Sequence, residues 1–507
     1  MLRILRRASG LATALLTAGC ATSSLDLAPA TPGTPFVPPG APAPIEMTEV
    51  DFGLPARPAL AVVQPPPPTD PVRVHTLPEL IDIAQTTNPT TRIAWEQARQ
   101  AALAVGIVKA SYLPVVTATV LGGYQRTSSS QTLPLTGQTG NLGTEATGTV
   151  STAALQWLLF DFGQRDALAK AAGKLSLASN ISFNAVHQKI IYDVGRQFYE
   201  FGAARERVRI AGASQRDARA VLDAAESRLH QGVGTTVEVA QAKQMLAQAD
   251  FDLVQGRNAE RDSYNGLIGA MGVSPVTQIR VEDASVHPLP PLVGAPLETL
   301  VGTALSRRPD LQVAVATAQA SRAGVAAAEA DFLPKVFTSV SGNSVNGRLS
   351  VTSLPIVGNV GSSALGTSPS NSNVTVLGGV SVPIFDGGIR AARLEEAKSR
   401  TAQAEDTFIR LQQDAAREVV VSADALKSAL AAFRAATVLV SASAVSYDAT
   451  LSAYRSGAGT ITAALEAQRA LLAARNARGQ AHGTAQIAAA TLAFAMGSLT
   501  HSHVLSR

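Results

Sequence analysis

Phe160-Asp161-Phe162-Gly163-Gln164-Arg165 recurs 225 residues later as Phe385-Asp386-Gly387-Gly388-Ile389-Arg390. The same offset carries Gly232-Val233-Gly234-Thr235 onto Gly457-Ala458-Gly459-Thr460, and Ala270-Met271-Gly272 onto Ala495-Met496-Gly497. Upstream, Asn88-Pro89 maps to Arg308-Pro309 and Ser111-Tyr112-Leu113-Pro114 to Asp331-Phe332-Leu333-Pro334, at an offset of 220. Five landmarks in one order, separated by a single five-residue length difference, make the body of the chain a duplication. The extra residues fall between the Leu-Pro and Phe-Asp landmarks.

Working outward, each half has the same series of elements. An Ala-rich helix leads (Pro89 to Ser111, Pro309 to Asp331). Period-two strands follow, most clearly in Val374, Val376, Val380, Val382 and Ile384, and in Val116, Ala118, Val120 and Tyr124. Their partners are read at about Thr147 to Phe160 and Leu333 to Asn343, lengths that suit the ~9–11 residues of a tilted membrane strand. Tyr124 and Trp157 stand where interfacial aromatics belong. Ser-, Thr-, Gly- and Asn-rich stretches, Thr127 to Ala146 and Gly347 to Ser372, read as outward loops and are the natural place for the five-residue difference. A soluble hairpin with one dry face has the same rhythm.

Beyond the strands, Asp161 and Asp386 are placed to cap helices, and Asp161-x-x-Gln164 fits a capping box. No proline then appears until Pro275 in the first half, or at all in the second. The 67 residues from Gly163 to Leu229 amount to roughly 100 Å of helix at ~1.5 Å per residue, the order of a bacterial periplasm. Sparse Leu, Val and Ile among Ala imply close packing, as in Ala-rich coiled coils. Glycines at 232, 234, 457 and 459 stop one helix and Thr235 and Thr460 cap the next. A coiled-coil stalk without a lumen remains the alternative at this level.

Four strands cannot close a barrel, and open strand edges are not tolerated in lipid. If the strands cross a membrane, several copies share one barrel. Two copies give an eight-stranded barrel filled by its own side chains, so a conducting pore favours three copies and twelve strands.

The chain has 507 residues, 46% hydrophobic but only 5% aromatic and 16% charged. Met1 to Arg7 carries three arginines, and a short apolar run ends in Thr17-Ala18-Gly19-Cys20, a secretory signal with cysteine at the lipoprotein cleavage position. Without those arginines the net charge falls from +4 to +1, so the basic isoelectric point is no argument for nucleic acid. Residues 21–75 hold 14 of the 28 prolines and read as an extended tether behind an acylated Cys20. No uncharged apolar run approaches ~18 residues. The best, Ser428 to Val445, is split by Arg434. The single cysteine excludes an internal disulfide framework, and the seven histidines, His501-x-His503 included, lack metal-site spacing. No G-x-S-x-G, phosphate loop or dinucleotide fingerprint occurs. The expectation is no enzyme, metal or cofactor.

The duplicated plan, the Leu-Pro strand entries at Pro114 and Pro334, the Phe-Asp-x-Gly exits and the Gly-x-Gly-Thr returns resemble the outer membrane efflux protein family, the TolC-like outer-membrane factors, and among them lipoprotein members such as OprM. The resemblance covers about Leu77 to Ser498. It implies an α+β membrane protein in which a homotrimer forms a twelve-stranded transmembrane β-barrel continued by a periplasmic α-helical coiled-coil barrel. It implies an exit duct for efflux or secretion, fed by an inner-membrane pump of RND, ABC or MFS type through a periplasmic adaptor. The corresponding domains are a signal peptide (1–19), a lipid-anchored tether (20–75), a first repeat (76–272), a linker (273–296), a second repeat (297–498) and a tail (499–507).

By the same resemblance the returns at Gly232, Gly234 and Thr235 and at Gly457, Gly459 and Thr460 meet the adaptor. Acidic side chains near them are expected to narrow the tunnel. Glu466 matches one family position, while the position a turn earlier is Ala463. Glu238 is a second candidate, although Thr235-x-x-Glu238 is also a capping box. Asp223 and Asp448, equivalent at offset 225, are the remaining candidates. Three copies of Glu466 would give a cation-favouring carboxylate ring. The competing function, from the residues alone, is a lipid-anchored coiled-coil structural or adhesion protein of the envelope.

Overall fold

The computed structural model describes residues 72–132, 139–291, 294–352, 364–368, 370–502 and 505, together with 28–29, 31–36, 52, 54, 56–62 and 65. The chain divides after Pro65 into two units. The described residues of the first include a turn at Thr31 to Thr34 and one 3-10 turn over Pro58–Leu60. The signal segment, Cys20 and much of the tether lie outside the described residues.

The second unit holds the duplication. Its elements are β1 (Val74–His75), α1 (Leu77–Thr87), α2 (Pro89–Ala110), β2 (Val115–Thr132), β3 (Thr139–Phe160), α3 (Gln164–His230) and α4 (Thr236–Met271). After β4 (Arg280–Val281) come α5 (Leu297–Arg307), α6 (Pro309–Ala330), β5 (Lys335–Thr352), β6 (Ala364–Thr367), β7 (Ser370–Ser381), α7 (Ile389–Ser456) and α8 (Ile461–Ala495). α3 is 67 residues and α7 is 68, lengths that the proline-free runs permit and the glycine returns end.

The sheet is antiparallel in the order β2-β3-β5, with β6 and β7 both on β5. Leu349 faces Thr367 and Asn346 faces Ser370 in one continuing register, so β6 and β7 lie along one strand line. Among the described residues the sheet therefore counts four strand lines. They are longer than expected. Most of the two stretches read as loops is instead ladder, leaving 133–138 and 353–363 between paired strands, six residues against eleven. That interval accounts for the five-residue difference. Composition misled because Ser, Thr and Gly signal turns, whereas an antiparallel ladder needs only backbone N–H and C=O groups once its register is set below.

Tyr124 pairs with Thr147, ten residues along β3 from Trp157, so the two aromatics stand about 33 Å apart along the ladder at ~3.3 Å per residue. With strand tilt that is close to a hydrocarbon thickness. At the Tyr124 level Gly123, Gly148 and Gly347 lie opposite one another across three strands. A Cβ on Gly148 would stand 2.5 Å from the Asn346 carbonyl oxygen, so the strands approach here as only glycine allows.

The expected capping box at Asp161 does not form. Gly163 and Gly388, at φ 96° and 90°, occupy the N-cap positions. Gln164 donates instead to Asp331 across the repeats (3.0 Å). Asp161 still accepts the Gly163 and Arg165 backbone N–H groups, and Asp386 those of Gly388 and Arg390. The aspartates thus serve the exposed donors of the helix start from two residues further out.

Two features escaped the sequence reading. Short helices α1 and α5 strap the long helices at mid-length: Leu77, Leu80 and Ile81 are buried with Ile191, Val194 and Phe198, and Leu300 and Ala304 with Val419, Leu426 and Leu430. β1 and β4 pair in parallel over two residues, too short to leave a periodic signal. The tail packs back as well: Leu499 is buried and the Leu505 carbonyl accepts from the Tyr199 hydroxyl (2.8 Å), while His501 is exposed and His503 lies outside the described residues.

Candidate functional site

The returns between α3 and α4 and between α7 and α8 are built alike. Gly232 and Gly457 take φ of 73° and 84°, the left-handed stop that spares a Cβ penalty. Gly234 and Gly459 sit against the preceding helix end, where a Cβ would meet backbone at 2.8 Å and 3.1 Å. Thr235 accepts the Glu238 N–H and Thr460 the Ala463 N–H, both at 3.3 Å.

One core unites the two returns. Val221, Leu222 and Ala225 of α3, Val239 and Ala242 of α4, Tyr447, Leu451 and Tyr454 of α7, and Ile461, Leu465 and Leu471 of α8 pack together. Tyr454 is fully buried. Its hydroxyl donates to Glu238 Oε2 (3.1 Å), and the Arg228 guanidinium lies 5.0 Å from its ring centre. Arg228 Nη1 donates to the Tyr454 carbonyl (3.1 Å) and Nη2 to that of Val233 (3.3 Å). Burial, and then the Glu238 carboxylate accepting its proton, push the Tyr454 phenol up to about 12. An arginine from the first return, a tyrosine from the second and a carboxylate from α4 therefore lock the two turns together.

The structure separates the four acidic candidates. Glu238 completes its capping box and is tied to Tyr454. Asp223 accepts from Arg219 Nε one turn earlier (3.1 Å). Glu466 and Asp448 are exposed, with no ion pair or hydrogen bond among the described residues. Arg228 and Tyr454 were missed as a pair by the sequence reading. Their one trace is that Tyr454 occupies the place of Leu229 in the duplicated motif, a polar handle on a buried position.

At the other end of the long helices, strands pass into helices through ion pairs. Arg165 Nε meets Asp161 at 2.8 Å, its Nη1 donates to the Ser111 and Leu158 carbonyls, and its guanidinium carbon lies 4.6 Å from the Tyr112 ring centre. Arg390 meets Asp386 at 2.7 Å and donates to the Pro383 carbonyl (3.0 Å). Asn88 and Arg308, equivalent in the repeats, tie down the ends of α4 and α8 through the Ala270 and Ala495 carbonyls (3.3 and 3.2 Å). α7 contains a stretch of mean hydropathy 1.6, long and apolar enough by composition to cross a bilayer. It lies inside one 68-residue helix that carries Arg434 and packs against α8 and α5. No group of three or more metal-ligating side chains occurs among the described residues.

A fold of this kind, a short antiparallel sheet continued by long paired helices and repeated once, has known counterparts. The outer membrane efflux protein family matches residues 80–273 and 300–498, one stretch in each repeat, and the chain belongs to that family. It resembles protein CyaE of Bordetella pertussis (26% identity, 67% of this chain and 66% of that protein). It resembles equally the pyoverdine export outer membrane protein OpmQ of Pseudomonas aeruginosa (26% identity, 75% and 76%). In structure it matches the CmeC outer membrane channel of Campylobacter jejuni, with a TM-score of 0.66, 18% identity and 83% and 85% of the two chains covered. The chain is an outer-membrane efflux component, which decides against the adhesin reading.

Proposed function

We propose that three copies of this chain close one twelve-stranded barrel in the outer membrane and continue it with a helical tunnel across the periplasm. The observation that carries this is the four-stranded sheet, with strands long enough to span a bilayer and the outer edges of β2 and β7 uncovered. Cys20 serves as the acylated anchor, with 1–19 removed and 20–75 as tether. An inner-membrane pump delivers substrate, and the returns at Gly232 to Thr235 and Gly457 to Thr460 meet the periplasmic adaptor. The chain acts as a passive duct and not an enzyme.

Glu466, exposed and unpaired on the first turns of α8, is the gating carboxylate, with Asp448 second. Glu238 is a structural member of the Arg228–Tyr454 lock, and Asp223 is held by Arg219. Single-channel recording in a planar bilayer tests the reading. Purified protein is expected to conduct with cation preference, and Glu466→Gln to lower that preference and its sensitivity to pH and divalent cations. A record unchanged by the substitution removes Glu466 from the gate, and no conductance from the parent protein overturns the channel.

A further inference from the structure

The duplication supplies a ruler for the joint between copies. Val115 faces Gln156 in the first hairpin and Lys335 faces Ser381 in the second; adding 220 to entry-strand numbers and 225 to exit-strand numbers converts one pair into the other. The rule holds to the far end, where Thr132 opposite Thr139 becomes Thr352 opposite Ala364. The chain also contains one joint between repeats. There the exit strand β3 pairs with the entry strand β5, placing Leu155 opposite Val340, Ala153 opposite Gly342 and Trp157 opposite Thr338.

Closing a ring requires the other joint, the exit strand β7 of one copy against the entry strand β2 of the next. Carried over by the same offsets, the in-chain pairs place Val380 opposite Val120, Gly378 opposite Gly122 and Val382 opposite Ala118 of the neighbouring copy. The apolar pattern agrees with this parity, more cleanly on β7 than on β2, where Leu121 (64% exposed) and Val115 stand on the other face. Val116, Val120 and Tyr124 on β2, and Val374, Val376 and Val380 on β7, are each more than 60% exposed on a single chain. A slip of one residue would turn one set of these side chains to the opposite face of the barrel wall from the other.

The helices give the same answer. α6 packs against both α3 and α7, and Ala316, Ala320, Ala327 and Ala330 are all buried on it. Their counterparts on α2, which packs against α3 alone among the long helices, are Glu96, Gln100, Ile107 and Ala110, all exposed, Ile107 at 73%. The hydrogen bond from Gln164 to Asp331 has no equivalent at the other joint, where the same offsets give Ile389 and Ser111.

We infer that copies of this chain join in one register, Val380 of one copy directly opposite Val120 of the next, with α7 of the first along the open face of α2 of the second. The inference rests on the trimeric reading above, and the test separates the two. The double variant Val120→Cys/Val380→Cys is oxidised in native outer membranes and run on a non-reducing denaturing gel. The slipped pairs Ala118→Cys/Val380→Cys and Val120→Cys/Val382→Cys, and each single variant as a control for Cys20, run beside it. Opposed residues lie within disulfide reach and slipped ones at its limit or beyond. The expected result is a covalent trimer at least ten-fold more abundant in the first variant than in any other. A stronger ladder from a slipped pair overturns the register. So does the absence of cross-links from every pair when amine-reactive cross-linking still yields trimers. Monomers alone under both reagents overturn the trimeric reading as well.

Discussion

At the first strand-to-helix junction the side chains of Asp161 and Arg165 are each only 7% exposed, and Arg165 is further held by the Ser111, Leu158 and Leu159 carbonyls. At the second, the same two residue types stand in the same positions, yet Asp386 is 29% exposed and Arg390 has one carbonyl partner beyond its aspartate. Beside it Ile384 and Phe385 are almost fully exposed, while their counterparts Leu159 and Phe160 are about half covered. Identical local chemistry thus ends in two environments because the first junction is flanked on both sides by this chain and the second on one side only. A duplicated chain contains one repeat-to-repeat joint, and among the described residues the matching edges of β7 and β2 stay unpaired within it.

The largest effect that can break this comparison is expected from Arg165→Ala. It strands a buried Asp161 carboxylate and should cost about 3–5 kcal/mol of stability. Arg390→Ala, at the open junction, should cost clearly less in the monomer. Heat- or urea-induced unfolding in detergent measures both, and equal losses would mean the second junction is already complete. Next comes Phe385→Ser. Removing one apolar ring from each joint forfeits about 2–3 kcal/mol per interface, so trimers should weaken ten-fold or more by native electrophoresis while monomer helicity by circular dichroism stays unchanged. Loss of helicity would place Phe385 in the fold of the single chain.

The smallest effect concerns the returns, where both repeats are joined within the chain. The Tyr454 phenol is raised from an ordinary ~10 to about 12, so the neutral form is the one the folded lock prefers. Its contribution is complete below about pH 10 and is lost as pH rises through about 12. Proteolysis of the returns should therefore accelerate over that window. Tyr454→Phe should weaken the dependence, leaving the share of Tyr447, whose buried phenol in the same core is also pushed up to about 12, at a cost of about 1.5–3 kcal/mol for a hydrogen bond to a charged acceptor. A window undiminished by the substitution would assign it wholly to Tyr447 or another group.

Much of this was legible in the residues. The landmarks at constant offsets marked the duplication, the proline-free run from Gly163 to Leu229 marked a helix of 67 residues, and Gly-x-Gly-Thr marked both returns with their threonine caps. These are covalent and local properties, and backbone conformation follows from them without help from distant contacts. Partnership was not legible. Gln164 reads as a capping residue and reaches Asp331 in the other repeat. Ser- and Thr-rich stretches read as loops and continue the ladder. Glu238 and Tyr454, 216 positions apart, meet only because four helix ends converge on one core. Sequence spacing determines what each segment can become, whereas which carboxylate is spent in a lock and which is left open depends on burial, and burial exists only once the segments have packed.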